Sequence, residues 1–198
     1  EFRDAAVLFR ATTQLPLYES EFKKAGLPYL TISGRGFYNR QEVQDLIAML
    51  SALANPLDDL SLAACLRSPL FSLSDETLYR LRWRTSENHL SQEPIPLKNA
   101  LSNPPFSEQR DLVSRANKVL ETLWSFVDWV DVWQLLRTAL DLTGFESVLI
   151  KNDGENGRQR ANVHKFLSLA RGQGGASKSA FLSRLRDLQA LEAREGEA

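Results

Sequence analysis

The hydrophobic pattern of the chain changes near residue 36. Residues Ala5 to Phe9 ("AAVLF") are apolar without alternation, and Tyr29 to Ser33 ("YLTIS") has the composition of a second strand. Between them, from about Pro16 to Gly26, apolar residues recur at helical spacing. An unbroken apolar run is typical of a strand buried on both faces of a parallel sheet, so the pattern predicts a strand-helix-strand unit. Because two strands do not make a stable sheet, we expect its other strands to lie outside the chain.

From Gln41 onward the spacing is helical and no further strand is predicted. An apolar stripe runs from Val43 to Ala54 and stops at Asn55 and Pro56, since proline cannot continue a helix. Side chains that can cap later helices are Asp58 or Asp59, Ser74, Ser107 and Ser177, and Gly144 can end one. The expected helices span residues 41–54, 59–66, 75–84, 97–101, 107–130, 131–143, about 163–170 and 177–191, with a proline-rich loop at 86–106 and a polar turn at 151–160.

These patterns predict a mainly α fold, in which a partial α/β piece precedes a domain of seven or eight helices. We place the partial α/β (strand-helix-strand) piece at residues 1–36, the multi-helix domain at 37–192 and a disordered acidic end at 193–198. The orphan strand-helix-strand unit and the missing initiator methionine indicate a piece of a larger protein.

Composition narrows the class of protein only a little. The 198 residues are 43% hydrophobic and 25% charged, which is ordinary for a globular domain. A net charge of -1 excludes an overall basic nucleic-acid binder but leaves room for a local basic stripe. Cys65 has no partner for an internal disulfide, and no stretch is long and apolar enough to cross a membrane, so we expect a cytoplasmic protein. His89 and His164 lack cysteine partners at ligand spacing, and no metal site is predicted.

The stretch "SGRGFYNRQEV", residues 33–43, follows the second predicted strand and leads into the first long helix. Gly34 and Gly36 allow a tight turn. Phe37 and Tyr38 can anchor a joint between two domains, or one of them can stack on a nucleic-acid base. Arg35 and Arg40 can contact phosphate, and Arg40 can instead pair with Glu42 or Asp45.

Arg10, Thr13 and Gln14 follow the first predicted strand. Open α/β sheets bind ligands at the carboxyl ends of their strands, where a guanidinium suits a phosphate and hydroxyl and amide groups can reach a nucleic-acid backbone. The alternative is that these side chains cap the next helix or face solvent.

In the helical domain, Ser74 and a cluster of basic residues could each contact DNA or have no role in binding it. Ser74 can donate to a phosphate at a helix start or act as a plain N-cap. A basic cluster can face a DNA backbone or only solvent; its members are Arg158, Arg160, Lys165 and Arg171. Trp124 and Trp133 fit apolar stripes, and we expect them in the core.

Residues 5–69, from "AAVLFRATTQ" to "LAACLRSP", resemble without a gap the second half of UvrD/Rep-type superfamily 1 DNA helicases. The shared features are a strand ending in arginine, a Pro-Tyr, a Gly-x-x-Phe turn, an Arg-x-Glu helix start and an Asn-Pro-x-Asp-Asp. The segment "LRSPLFSLSDETLYRLR" is similar to the helicase-nuclease type, the AddA and RecB subunits, although Ser72 stands where glycine is usual. "RQRANVHKFLSLAR" is similar to an Asn-containing helix late in the 2B domain of that type.

The resemblance implies one part of a two-domain motor. Residues 1–36 become part of a RecA-like 2A domain and residues 37–192 the helical 2B insertion of an ATP-dependent 3′–5′ DNA helicase, of the helicase-nuclease type used in DNA repair and recombination. ATP and Mg²⁺ would bind elsewhere in the parent protein, because this chain has no Gly-Lys-Thr/Ser phosphate loop and no Asp-Glu-x-x segment. No catalytic, cofactor-binding or metal-binding residue is assigned here, and the chain alone is expected to be inactive.

The resemblance also implies partners and contact residues. The expected partners are DNA at a single-strand/duplex junction, the remaining helicase domains of the parent chain and a nuclease partner subunit, with no membrane. The residues expected to contact DNA are Arg10, Thr13, Gln14, Arg35, Arg40 and Ser74. The alternative function is a helical protein-interaction module that does not bind DNA, which the near-neutral charge fits equally well.

Overall fold

The described part of the chain is mainly helical and contains no strand. The structure is a computed structural model that describes residues 5–10, 14–27, 29, 36–83, 94–102, 104, 109–153 and 157–196; for residues 16, 152–153 and 191–196 it describes the backbone alone. The helices are α1 (Leu15–Lys24), α2 (Gln41–Ala54), α3 (Asp59–Arg67), α4 (Asp75–Trp83), α5 (Leu97–Leu101), α6 (Arg110–Phe126), α7 (Val132–Thr143), α8 (Phe145–Asp153), α9 (Arg158–Arg171) and α10 (Lys178–Gly196). We call the described residues from 5 to 29 the N-terminal segment, residues 36–40 the joint, and α2 to α10 the helical body.

Helix α2 lies at the centre of the helical body. Its residues Val43, Leu46, Met49 and Leu50 are fully buried, as expected for apolar side chains that recur every three or four positions. The helix packs against α3, α6, α9 and α10 and shares one hydrophobic core with them. It therefore organises most of the body, and the joint leads directly into its first turn.

The predicted N-caps that the structure describes are formed. In each, a side-chain oxygen accepts a bond from the backbone N–H three residues on: Asp58 from Ser61 (3.1 Å), Ser74 from Thr77 (3.1 Å) and Ser177 from Ala180 (3.2 Å). Gly144 ends α7 in the left-handed conformation, with φ 69°, as the sequence predicts. Ser107 lies outside the described residues, and α6 begins at Arg110.

The strand predicted for Ala5 to Phe9 is not formed. These residues have no regular structure, and the side chain of Leu8 is 95% exposed. A strand needs hydrogen bonds from a neighbouring strand, and no described residue belongs to one. Of the second predicted strand, Tyr29 to Ser33, only Tyr29 is described, and the rest lies outside the described residues. The helix between them, α1, is formed, whereas the complete strand-helix-strand unit is not shown.

Several helix boundaries differ from the sequence prediction. Helix α9 begins at Arg158, within the predicted polar turn, and not near Val163. Helix α8 covers residues assigned in part to a polar turn, because Phe145 and Leu149 are one turn apart and both buried. Helix α6 stops at Phe126 instead of near Val130, and a turn at 127–130 separates it from α7. Helix α10 continues to Gly196, so the backbone of residues 193–196 is helical where a disordered end was predicted. Residues 197 and 198 lie outside the described part.

The tryptophans and the cysteine follow the sequence prediction in part. Trp124 and Trp133 are half-buried and pack against the core, and the Trp124 indole N–H donates to the Ala52 carbonyl at 3.2 Å. Trp129, in the turn after α6, is 86% exposed. Cys65 is fully buried, and burial raises the pKa of its thiol, so it packs as a small core residue. Among the described residues, no helix is long and apolar enough to span a membrane.

Candidate nucleic-acid interface

The joint is a pair of overlapping turns that leads directly into α2. Gly36 has φ 83°, a conformation that favours glycine, and its carbonyl accepts from the Asn39 N–H at 3.1 Å. The Phe37 carbonyl accepts from the Arg40 N–H at 3.2 Å. Phe37 is 8% exposed and lies edge-on to Tyr38, with ring centroids 5.1 Å apart. A buried ring does not offer a face to a nucleic-acid base, so the geometry of Phe37 favours the structural interpretation.

Arg40 connects the joint to the N-terminal segment. Its guanidinium lies 3.8 Å from a carboxylate oxygen of Glu19 in α1, and not beside Glu42 or Asp45, the two partners offered by the sequence. The side chain is 51% exposed, so this ion pair is worth little on its own. Arg40 thus lies half exposed at the boundary between the segment and the body.

The residues expected after the first predicted strand are only partly described. Arg10 and Gln14 are both exposed. Gln14 precedes α1, but its side chain makes no capping hydrogen bond. Thr13 and Arg35 lie outside the described residues. Since no sheet edge is formed by the described residues here, the structure does not bring Arg10, Gln14 and Arg40 together into one site.

Ser74 caps α4 through a chain of hydrogen bonds that uses its hydroxyl hydrogen. The Thr77 hydroxyl donates to Oε1 of Gln109 at 2.6 Å, so its oxygen accepts from the Ser74 hydroxyl at 2.9 Å. The Ser74 N–H also donates to Gln109, at 3.1 Å. The neighbouring acids Asp75 and Glu76 occupy the first turn of the helix, where they repel phosphate. The expectation that Ser74 donates to DNA is therefore not supported, and the capping interpretation is.

Ser72, in the segment before α4, adopts a backbone conformation that favours glycine. It has φ 58°, a left-handed conformation that costs a residue with a side chain roughly 1 kcal/mol or more. Its N–H donates to the Ser68 carbonyl at 2.8 Å, which closes the turn after α3. The side chain of Ser72 is exposed.

The basic cluster on α9 divides between two sides of the helix. Arg160 and Arg171 are exposed, whereas Arg158 and Lys165 are half-buried. The Arg158 guanidinium lies 3.7 Å from the centroid of the Tyr29 ring, and the Lys165 ammonium 4.2 Å from that of Phe37. Arg171 lies over the Trp133 ring at 5.2 Å. The sequence grouped these four cations as one face, but the structure directs two of them at aromatic rings beside the joint.

The burial of two carboxylates near the joint was not predicted from the sequence. Glu42 and Asp45 are 7% and 4% exposed in the first turns of α2. The Asn162 amide of α9 donates to Glu42 at 2.6 Å, and the Gln41 amide donates to Asp45 at 2.8 Å. Burial raises the pKa of Asp45, the Gln41 bond opposes this, and the nearby Glu42 charge adds to the rise. The available signal was two acids, three residues apart, inside a stripe of apolar positions.

The charged side chains described around the joint do not gather into one cluster. In the described residues no three or more His, Cys, Asp or Glu side chains gather as a metal site. The buried acids have amide partners, and the exposed cations Arg10, Arg40 and Arg160 lie on different elements.

Known proteins match the chain on both sides of the joint. Residues 1–103 match the family described as UvrD-like helicase C-terminal domain. The ATP-dependent DNA helicase PcrA of Staphylococcus aureus is 24% identical over 174 residues, which are 85% of this chain and 23% of that protein. An ATP-dependent helicase/nuclease subunit of Thermoanaerobacter sp. strain X514 is 30% identical over 155 residues, 78% of this chain and 11% of that protein. The chain therefore spans less than a quarter of the length of these relatives.

Proposed function

Because the chain belongs to the family of UvrD-like helicase C-terminal domains, we propose that it is part of an ATP-dependent 3′–5′ DNA helicase of the UvrD/Rep type. We further propose the helicase-nuclease type, which processes DNA for repair and recombination. The relative that shares 30% of its residues with this chain bears the name of a helicase/nuclease subunit. The observation that carries the proposal is the family match, which spans residues 1–103 and so covers the N-terminal segment, the joint and α2 to α5.

The proposed domain division follows the joint. Residues 1–36 are assigned to a RecA-like 2A domain and residues 37–192 to the 2B insertion. Phe37 is the first residue of the described chain to enter the hydrophobic core of the body, while Val7, Leu8 and Leu17 before it stay exposed. Exposed apolar side chains on a short segment are typical of a surface that packs against another part of a larger protein. The rest of the 2A domain is the partner that this surface fits.

The role proposed for the chain is to contact DNA and to regulate the motor by the position of the 2B domain. The residues proposed to touch the backbone are the cations Arg10, Arg35 and Arg40, together with Thr13 and Gln14. Ser74 is left out, because its hydroxyl hydrogen is used inside α4. Such contacts position a protein on DNA without reading its sequence.

Catalysis is assigned to the rest of the parent protein. ATP and Mg²⁺ are proposed to bind there. The proposed partners are the remaining helicase domains of the parent protein and a nuclease partner subunit. The proposed location is the cytoplasm. The chain itself carries no phosphate loop in its sequence, so purified alone it should not hydrolyse ATP.

A salt titration of DNA binding tests the proposal. The chain is mixed with a fluorescent duplex that carries a single-stranded 3′ tail, and anisotropy is followed from low to physiological salt. We expect affinity to fall with salt, with a logarithmic slope of about 0.7 to 0.9 for each phosphate contacted. Arg40→Gln should reduce that slope by about one contact, whereas Lys118→Gln, an equal loss of charge on the exposed side of α6, should not.

The competing function predicts a different result. A helical module that binds only proteins has no junction affinity even at low salt, and equal effects of Arg40→Gln and Lys118→Gln would indicate nonspecific attraction. Either outcome overturns the proposed DNA contact. The family membership does not depend on this measurement, because it comes from the sequence match.

A further inference from the structure

One face of α9 carries three polar residues aimed at the joint and its flanks. Arg158, Asn162 and Lys165 are spaced four and three residues apart, so they stack on the same side of the helix. All three are half-buried. The adjacent face, with Val163, Phe166 and Ala170, is buried in the core and fixes the rotation of the helix.

The partners of these three residues come from a short stretch of chain. Arg158 lies over the Tyr29 ring at 3.7 Å, Lys165 lies over the Phe37 ring at 4.2 Å, and the Asn162 amide donates to the Glu42 carboxylate at 2.6 Å. Tyr29 precedes the joint, Phe37 is inside it, and Glu42 opens α2. A helix more than 100 residues later in the chain thus contacts one residue of the joint and one residue on each side of it in the sequence.

The three contacts depend on one another. Glu42 is buried, so its charge needs the Asn162 amide to replace lost water, and a bond to a charged group is stronger than one between neutral groups. The amide joins α9 to the first turn of α2. A cation gains from a ring only within about 6 Å of its centroid, so both cation–ring contacts depend on where α9 lies relative to Tyr29 and Phe37.

We propose that this face of α9 is a latch, which fixes the joint and with it the position of the N-terminal segment relative to the helical body. Asn162 is its positioning residue, and Arg158 and Lys165 bind the rings of Tyr29 and Phe37. The latch rests on contacts inside the chain and stands whether or not the chain binds DNA. Its regulatory meaning rests on the proposed function, in which the segment belongs to the motor and the body to the 2B domain.

The test uses nuclear magnetic resonance on the whole chain. A cation over an aromatic ring has its side-chain protons shifted upfield, so the Hδ protons of Arg158 and the Hε protons of Lys165 report the two contacts directly. Exchange of the Asn39 and Arg40 amide hydrogens, which are bonded within the joint, reports its closure. In Asn162→Asp the new carboxylate faces Glu42. Both upfield shifts should disappear although neither cation was changed, and exchange at the joint should accelerate roughly tenfold.

A swapped pair separates the latch from general damage. Glu42→Gln combined with Asn162→Asp restores an amide facing a carboxylate, and we expect the upfield shifts and slow exchange to return. If the single variant fails to fold, the swapped pair decides: a folded swap with the shifts restored supports the latch, and one without them overturns it. Arg158→Gln gives an independent reading, because a linked latch should also lose the Lys165 shift.

A control variant changes an exposed cation away from α9. Lys118→Gln removes an equal charge from the exposed side of α6 and should leave the shifts and the exchange rates unchanged. Unchanged shifts and exchange in Asn162→Asp would overturn the latch. So would an Arg158→Gln variant that loses junction affinity while joint exchange stays slow, because Arg158 would then serve DNA. A wild-type chain that binds no junction overturns the proposed function and leaves the shift measurements as evidence on the latch alone.

Discussion

Leu46 in α2 is fully buried, whereas Leu8 and Leu17 in the N-terminal segment are 95% and 62% exposed. Similar apolar side chains are thus exposed in the segment and buried in the helical body. Burying a leucine contributes about 1.5 to 3 kcal/mol. The body gains this within the chain, because α2 has neighbours on several sides. The segment does not, and it is held mainly by polar and aromatic contacts such as Arg40 with Glu19 and Arg158 with Tyr29.

The difference teaches that the two regions have different requirements for stability. The body has its own core and should fold without the segment. The segment carries an apolar pattern for which the described chain offers no matching surface, in keeping with its proposed place in a larger α/β domain. Substitutions that are equivalent in chemistry should therefore have unequal effects in the two regions.

The largest expected inequality is between two leucine-to-alanine substitutions. Leu46→Ala removes a fully buried side chain from the central helix and should lower the free energy of unfolding by about 2 to 5 kcal/mol. Leu17→Ala removes a side chain that is 62% exposed on α1 and should change it by less than about 0.5 kcal/mol. Urea unfolding followed by circular dichroism measures both.

Equal effects of the two substitutions would break the comparison. A large loss for Leu17→Ala would mean that the segment is part of the same cooperative core as the body. The slope of the unfolding transition adds a check, since it scales with the surface exposed and should be unchanged in Leu17→Ala.

A smaller inequality concerns two helix starts. The Asp58 carboxylate caps α3 by accepting from the Ser61 N–H and hydroxyl, whereas Gln14 makes no side-chain cap at α1. Asp58→Ala should cost about 1 kcal/mol, and Gln14→Ala close to nothing. The hydrogen bonds from Ser61 lower the pKa of Asp58. Its stabilisation is therefore present above the unfolded pKa, near 3.9, and is lost as the pH falls through the lower folded value.

Urea unfolding of wild type and Asp58→Ala at several pH values checks this sign. The cost of the substitution should be greatest near neutral pH and should shrink below about pH 4. A cost that grows on acidification would show that Asp58 does not act as a charged cap.

Sequence patterns predicted the body better than the segment, for a physical reason. Helical periodicity, Pro56 and the caps at Asp58 and Ser177 are local signals, and the helices they predict can form within this chain. A strand is not local, because its hydrogen bonds belong to a neighbour. The apolar run from Ala5 to Phe9 predicted a strand that the described chain cannot pair.

The candidate site shows the same limit at the level of single side chains. Sequence spacing identified the cations of α9, but which of them turn toward the joint depends on how α9 packs on α2. The Ser74 hydroxyl donates within a chain of hydrogen bonds that ends at Gln109, which lies at the start of another helix. Contacts between residues distant in the chain, such as Asn162 with Glu42, leave no pattern in a single sequence.

The smallest expected inequality compares a buried with an exposed carboxylate. Burial raises the pKa of Asp45, with the charge of Glu42 adding to it, so the folded state binds a proton more readily than the unfolded state. The stability of the wild type on account of this group is greatest below about pH 4 and falls as the pH rises through the folded pKa. Asn at this position does not titrate and still accepts from Gln41. Relative to wild type, Asp45→Asn should therefore gain up to about 1 kcal/mol between pH 4 and pH 7.

Glu21→Gln in α1 is the matched change in the segment. Glu21 lies 2.6 Å from Lys24, and both side chains are well exposed, so the loss of this pair should be within about 0.5 kcal/mol across the same range. The measurement is urea unfolding of both variants at intervals of half a pH unit. A difference between Asp45→Asn and wild type that is flat or falls with pH would mean that the Gln41 hydrogen bond outweighs burial. In that case the interior of α2 near the joint would be as tolerant of charge as the exposed helix before it.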